Sequence, residues 1–333
     1  MRTLKLVIPV FVLFVIAGCA TSQAKPQTAP PSKEPATPPA TQKPAAATQK
    51  PATPGAAPAP GAPAPAQPAV PAAPKALMAT SADGTRIAYE VTGSGPALVM
   101  IHGGGQTRRS WNQLGYVDRL SKRFRVITFD TRGIGESDKP LTPGAYAVDH
   151  LLADVAAVAD AAKAPRFHVW GFGQGATVGR YLAAQSDRVI STVLVGTTMG
   201  PAVSGVFKDA IAGMKAKWQP AIDAQAAGKI DAAKLSPNDR AAWDSGMAVT
   251  VLTLTAMLDY PPLEPDGIKV PTLWAVGADD SAMENVKQYE GKLANTRVTL
   301  KVMSSLNYSD SFIKLDTVMT EVEPFLTKVL SAT

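Results

Sequence analysis

Phe167-His168-Val169-Trp170 runs into Gly171-Phe172-Gly173-Gln174-Gly175, and Ala176 to Ala184 follows. The first four residues read as a short apolar strand, the last nine as a helix, and the glycine-rich five as the turn between them. Strand, tight turn and helix are the setting of the motif G-x-S-x-G, in which a serine is held at a strained backbone position with its hydroxyl pushed toward substrate. Here the third position is Gly173, which has no side chain to present. Glycine carries no Cβ penalty at positive φ, so this residue relieves strain while it removes chemistry.

On either side of this turn, β-type runs alternate with helical ones. Ile87–Val91, Ala97–Ile101, Arg125–Phe129, Phe167–Trp170, Ser191–Val195, Thr272–Val276 and Val298–Val302 read as strands. Trp111–Leu120, Val148–Lys163, Ala176–Ala184, Ala282–Leu293 and Thr317–Leu330 read as helices. Near-continuous apolar strands between helices predict an α/β fold with a mostly parallel central sheet covered on both faces. Residues 200–265 interrupt the alternation. They are rich in alanine and methionine at helical spacing, with a break at Ser236-Pro237-Asn238-Asp239, and they predict a small helical cap. Met214, Met247 and Met257 are candidates to line a pocket beneath it, though methionines at such spacing are more often core.

Several ordered motifs in residues 80–330 resemble the α/β-hydrolase superfamily. Val99-Met100-Ile101-His102-Gly103-Gly104-Gly105 is similar to the strand and H-G turn that supply one oxyanion donor. Asp130-Thr131-Arg132-Gly133-Ile134-Gly135-Glu136-Ser137-Asp138 is similar to the D-x-R-G-x-G-x-S loop after the next strand. The turn at 171–175 follows, and then Val270 to Asp280 resembles the strand that ends in the triad acid. The resemblance implies the α/β-hydrolase fold and a triad in the chain order nucleophile, acid, histidine.

Carried over position by position, the resemblance places the acid at Asp280, with Asp279 the second choice, and the nucleophile at Gly173. The histidine position falls in Met303 to Phe312, where relatives often read G-L-D-H-x-x-x-F, which puts Tyr308 on the histidine. None of the three histidines follows the acid. His102 belongs to the H-G turn and is expected to bond locally. His150 and His168 are expected to serve the helix surface and the strand interior. Glycine cannot attack, and a phenol with a pKa near 10 is a poor base at neutral pH. Loss of serine or histidine from a hydrolytic triad lowers turnover by on the order of 10⁶. Asp280 is left as an orphan carboxylate, and a hydrogen bond from the Tyr308 hydroxyl is expected to satisfy it. The backbone N–H groups of Gln174 and Gly104 are the candidate oxyanion-hole pair.

The first residues carry a separate signal. Arg2 and Lys5 precede an apolar run over residues 6–17 that is too short to span a bilayer, and Ile16-Ala17-Gly18-Cys19 follows. This resembles a bacterial lipoprotein signal over residues 1–18, with Cys19 lipidated as the anchor in the membrane. Cys19 is the single cysteine, so no intramolecular disulfide forms. Residues 19–76 are expected to be a disordered tether. They hold 16 of the 29 prolines, and Ala40–Ala45 repeats as Ala47–Ala52. The domain is then expected to span 77–333.

The formal charge of +6 lies in the leader and tether, leaving 77–333 neutral, so nucleic acid is not an expected partner. Three scattered histidines and one cysteine make no metal-ligand pattern, and no cofactor is expected. Ala20 in place of an aspartate after Cys19 favours the outer over the inner membrane of a cell envelope. Three functional readings follow. The first is a pseudo-hydrolase that binds a partner or a small apolar, carbonyl or acidic ligand in a capped pocket. The second is a hydrolase of ester-type substrates that uses water activated by Asp280 or Asp279, or Ser137, Thr197 or Thr198 as a displaced nucleophile. The third is a structural envelope protein.

Overall fold

The computed structural model describes residues 76–331 except 143, 204 and 231–233. The leader, Cys19 and the Pro/Ala-rich segment lie outside the described residues. Eight strands form one sheet: β1 (Leu77–Thr80), β2 (Arg86–Thr92), β3 (Ala97–Ile101), β4 (Arg125–Phe129), β5 (Phe167–Phe172), β6 (Val189–Val195), β7 (Thr272–Gly277) and β8 (Val298–Met303). Their spatial order is β1-β2-β4-β3-β5-β6-β7-β8. β2 pairs antiparallel with β1 and β4, and every other pairing is parallel. β1 escapes sequence reading because it is four residues long and buries only Ala79.

Every residue of β3, β5 and β7 is buried. Helices cover both faces of a parallel sheet, so its strands have no solvent side on which to place polar residues. Val99 and Ile101 of β3 join one layer with Leu151, Val155 and Val158 of α3 (Val148–Ala161) and Val178 and Leu182 of α4 (Gln174–Gln185). Leu98 and Met100, one residue out of phase, join the other with Trp111 of α1 (Arg108–Gln113), Val117 of α2 (Tyr116–Leu120) and Val322 of α10 (Leu315–Ser331). The helix expected over Trp111–Leu120 is in fact two. Gly115 stands between α1 and α2 at φ 82, a left-handed turn that lets Trp111 and Tyr116 meet edge to face at 5.1 Å.

The insertion after β6 holds α5 (Val206–Ala226), α6 (Pro237–Asp244) and α7 (Met247–Met257). Its two ends are joined by paired bonds between Gly200 and Leu263, at 2.8 and 3.0 Å. The break at Ser236 is the start of α6. Ser236 Oγ accepts the Asp239 N–H, and Pro237 occupies the first turn, where its missing donor costs nothing. Met214 and Met247, both partly buried, pack with Trp218 and Trp243 of the cap and with Ala145 and Tyr146 beneath it in one apolar cluster. After β7 come α8 (Met283–Tyr289), β8 and the short α9 (Asp310–Ile313) that leads into α10. Among the described residues no helix is long and apolar enough to cross a membrane.

Candidate functional site

The turn between β5 and α4 has the elbow geometry. Gly173 lies at φ 52, ψ −114, its N–H donates to Val195 O at 2.8 Å, and its carbonyl accepts the Thr177 N–H at 2.9 Å. The flanking glycines are required by close approach. A Cβ on Gly171 would stand 2.4 Å from Gly175 O, and one on Gly175 would stand 2.2 Å from Ile101 O. The start of α4 therefore rests directly on the ends of β5 and β3.

Above Gly173 stands Tyr308. A Cβ built on residue 173 would meet the Tyr308 hydroxyl at 2.0 Å and Cζ at 3.1 Å. The phenol is longer than an imidazole, and its oxygen reaches over Gly173. Phe172 lies beside the ring at 4.9 Å, and a Cβ on Gly196 would come within 3.1 Å of it. Phe172 and Gly196 are site residues that sequence reasoning missed. The glycine and the tyrosine were both visible, but nothing in either segment reports their contact.

Asp280 is buried and Asp279 exposed, which fits the first choice of acid position. Asp280 Oδ1 accepts the Ala282 N–H at 2.9 Å, while Oδ2 is buried with no partner among the described residues. No hydrogen bond joins it to Tyr308, contrary to expectation, because the phenol oxygen lies over Gly173 instead. Burial raises the Asp280 pKa. Burial, and then the Asp280 charge, raise that of Tyr308, so the phenol is a neutral donor and no base at neutral pH.

The H-G turn lies against the elbow, with Gln174 Oε1 3.5 Å from where Gly104 would carry a Cβ. Gly103 N–H is taken by Gln106 Oε1 at 2.9 Å, whereas the Gly104 and Gln174 N–H groups have no acceptor among the described residues. The Gln174 side chain reaches the cap, where Nε2 lies 3.6 Å from Met257 Sδ. Of the three candidate methionines, Met257 comes to the elbow.

The turn is held by buried charge. Arg108 pairs with Asp130 and, at 2.9 Å, with both Glu90 and Glu136. Arg132 grips Asp154 through two bonds of 2.7 and 2.6 Å and reaches Asp83 at 2.8 Å.

The histidines lie elsewhere. His102 is buried, with Nδ1 2.9 Å from Gly103 O and Nε2 accepting the Thr131 N–H at 3.1 Å, which fixes a neutral ring. Burial lowers its pKa. His168 sits inside the sheet against Ser191 Oγ at 2.8 Å, and burial lowers it to about 4. His150 stands 3.4 Å from Asp83, half-exposed. The hydroxyls of two of the alternative nucleophiles, Ser137 and Thr197, are bonded structurally. Ser137 Oγ accepts from Ala88 N–H and donates to Asp130 O at 2.6 Å, and Thr197 Oγ1 meets Thr177 Oγ1 at 3.0 Å. Thr198 gives its carbonyl to Arg180 at 2.7 Å. No histidine contacts any of the three. Two shallow surface depressions, one beside Lys269 and Arg297 and one beside Leu152 and Arg188, lie away from Gly173, Asp280 and Tyr308.

A sheet that is parallel except for β2, an elbow at the end of β5 and an acid after β7 define a hydrolase-type α/β protein. A family model described as alpha/beta hydrolase fold matches residues 96–249. The chain is 32% identical over 146 residues to a Mycobacterium tuberculosis protein named "Probable oxidoreductase EphD", which covers 42% of this chain and 24% of that protein. The curated relatives it matches are thus spanned over less than half of their own length. Among solved structures it is similar to a thermophilic esterase from Thermogutta terrifontis, with TM-score 0.61 and 20% identity over 77% of this chain and 99% of that one. It is also similar to an enol-lactonase from Burkholderia xenovorans, with TM-score 0.57 and 25% identity over 75% of this chain and 100% of that one. Residues 96–249 thus match the α/β-hydrolase family, and the described residues have the α/β-hydrolase fold.

Proposed function

We propose that this is a hydrolase-fold binding protein, silent by the serine mechanism and held to a bacterial envelope membrane through lipidated Cys19. The observation that carries the silence is steric. The Tyr308 hydroxyl stands 2.0 Å from where any Cβ at residue 173 would lie, so the nucleophile's place is both vacated and filled. A hydroxyl nucleophile also needs a base within hydrogen-bond reach, and the rings of His102, His150 and His168 are engaged with Gly103 and Thr131, Asp83, and Ser191 instead. What remains is two unpaired N–H donors, a neutral phenol and a buried carboxylate under a cap, which is the equipment of a binding site. The sequence of residues 1–19 supports the anchor, and Ala20 favours the outer membrane. Residues 20–76 then serve as the spacer.

Fluorophosphonate labelling of the full chain tests the silence, since the probe reports any activated hydroxyl. No labelling is expected. Adduct on Ser137, Thr197 or Thr198, located by peptide mass spectrometry, would favour a displaced hydrolase instead. Labelling of whole cells with radioactive palmitate, lost on Cys19→Ser, tests the anchor.

A further inference from the structure

Strands β3 to β8 run parallel, so all begin at the end of the sheet opposite the elbow, and that end is basic. Arg125 opens β4, while Arg166, Arg188 and Arg297 immediately precede β5, β6 and β8. Lys269 leads into β7, and Lys122, Arg123 and Lys163 lie in the same set of loops. The acids among them are Asp187 and Asp266, with Asp160 at the end of α3. Residues 77–333 are neutral as a whole, so this excess of cations is balanced elsewhere on the domain and sets up a field along the sheet.

Some of these cations serve the fold. Arg125 donates to Lys163 O at 2.9 Å, Arg188 to Pro165 O at 3.0 Å and to Asp160 at 2.7 Å, and Arg123 to Thr327 Oγ1 at 3.0 Å. These bonds tie neighbouring loops into one surface. Arg166, Lys269 and Arg297 are different. All three are exposed, and their side chains have no ion pair or hydrogen bond among the described residues. They also stand beyond the last turn of any α-helix, where the pull of a helix C-terminus on a cation has faded. Lys269 and Arg297 line one depression of about 400 Å³ with Asp266, Asn295 and Thr296.

The edge of the sheet adds apolar surface at the same end. β1 runs in the direction of β3 to β8, so Leu77, its first residue, is the one nearest the basic end. Leu77 pairs with Tyr89, and Val91 lies two residues further toward that end on the same face. Leu77 is 53% and Val91 37% exposed. Cations that meet headgroup phosphates beside apolar side chains that enter the acyl boundary are what a bilayer surface selects. A nucleic-acid backbone would use the cations and leave Leu77 and Val91 in water.

The geometry points to an anionic phospholipid surface as the partner of this end, with phosphodiesters at Arg166, Lys269 and Arg297 and with Leu77 and Val91 in the interface. The elbow, at the other end of β5, then faces away from the bilayer. The choice of lipid draws on the membrane anchor proposed above, whereas the segregation of charge does not.

The test is cosedimentation of the full chain carrying Cys19→Ser with vesicles of phosphatidylcholine, with and without one quarter phosphatidylglycerol. Each cation held near an anionic surface multiplies partitioning about fivefold. Replacing Arg166, Lys269 and Arg297 together by glutamine is therefore expected to weaken binding to the anionic vesicles at least tenfold. The same replacement of Lys208, Lys215 and Lys229, three exposed cations of the cap insertion, removes equal charge and is expected to change binding less than twofold. Because leader and tether are identical in all three chains, their own affinity for lipid cancels. Thermal melts of both variants should match the parent, since none of the six side chains is bonded among the described residues. Equal losses in the two variants, or no loss in the first, would overturn the proposal. Tighter binding of the parent to a short DNA duplex than to the anionic vesicles, lost in the first variant, would overturn the choice of lipid. Cys19 is serine throughout, so a failed palmitate labelling would sink the anchor alone and a failed vesicle titration the basic face alone.

Discussion

Restoring serine to the elbow without touching Tyr308 should damage the fold. In Gly173→Ser the new Cβ arrives 2.0 Å from the Tyr308 oxygen and 3.1 Å from Cζ. The oxygen is the far end of a side chain, but its ring is fixed between Phe172 and Gly196 and cannot give laterally. Overpacking of this kind costs about 1–3 kcal/mol. The backbone at φ 52, ψ −114 adds roughly 1–3 kcal/mol for any residue with a Cβ. In a Tyr308→His background the clash is gone, because the shorter imidazole stops short of residue 173, and only the backbone cost remains. The two substitutions should therefore couple by about 1–3 kcal/mol, well outside the additivity expected of independent sites. Chemical denaturation of parent, both single variants and the double variant, followed by circular dichroism, measures the cycle. Additivity to within about 0.5 kcal/mol would refute the contact between Tyr308 and residue 173.

Gly175→Ala meets backbone rather than a side chain, at 2.2 Å from Ile101 O, and is expected to abolish soluble expression or lower Tm sharply in a thermal melt. Arg132→Met leaves Asp154 buried without its partner and is expected to cost about 3–5 kcal/mol by urea denaturation. Asp154→Asn in the same chain should recover part of that loss. The His168 pKa is about 4 in the fold against 6.5 unfolded, so the unfolded state takes up the proton first as pH falls. Its contribution is intact above pH 6.5, falls by about 2 kcal/mol by pH 5 and levels off below pH 4. Urea midpoints across pH 4–7.5 should show this slope, and His168→Asn should flatten it while buried His102 retains a share. An unchanged slope in His168→Asn would argue that His168 is not held neutral.

Much of the fold was legible because the inner strands of a doubly covered sheet are apolar along their length, and β2 to β8 each stood out. β1 did not, since one buried alanine in four residues carries no periodic signal. The break at Gly115 was hidden inside a run whose apolar spacing continues across it, and only the left-handed φ separates α1 from α2. In the site, the order of four motifs located Gly173, Asp280 and Tyr308 one by one. Their mutual geometry was not legible, because it depends on how far a phenol reaches compared with an imidazole. That reach sends the Tyr308 oxygen past Asp280 and onto Gly173, which is why the expected Asp280–Tyr308 bond is absent. Met257 differs from Met214 and Met247 for a similar reason, since it alone ends the cap helix that meets Gln174.

The decisive measurement is hydrolysis of short 4-nitrophenyl esters by the full chain carrying Cys19→Ser, beside the variant with Gly173→Ser and Tyr308→His together. A parent indistinguishable from the uncatalysed reaction, and a double variant that gains turnover sensitive to Asp280→Asn, is the predicted result. Turnover by the parent that disappears on Asp280→Asn would contradict the account, because it would place working chemistry in a site described here as filled and silent.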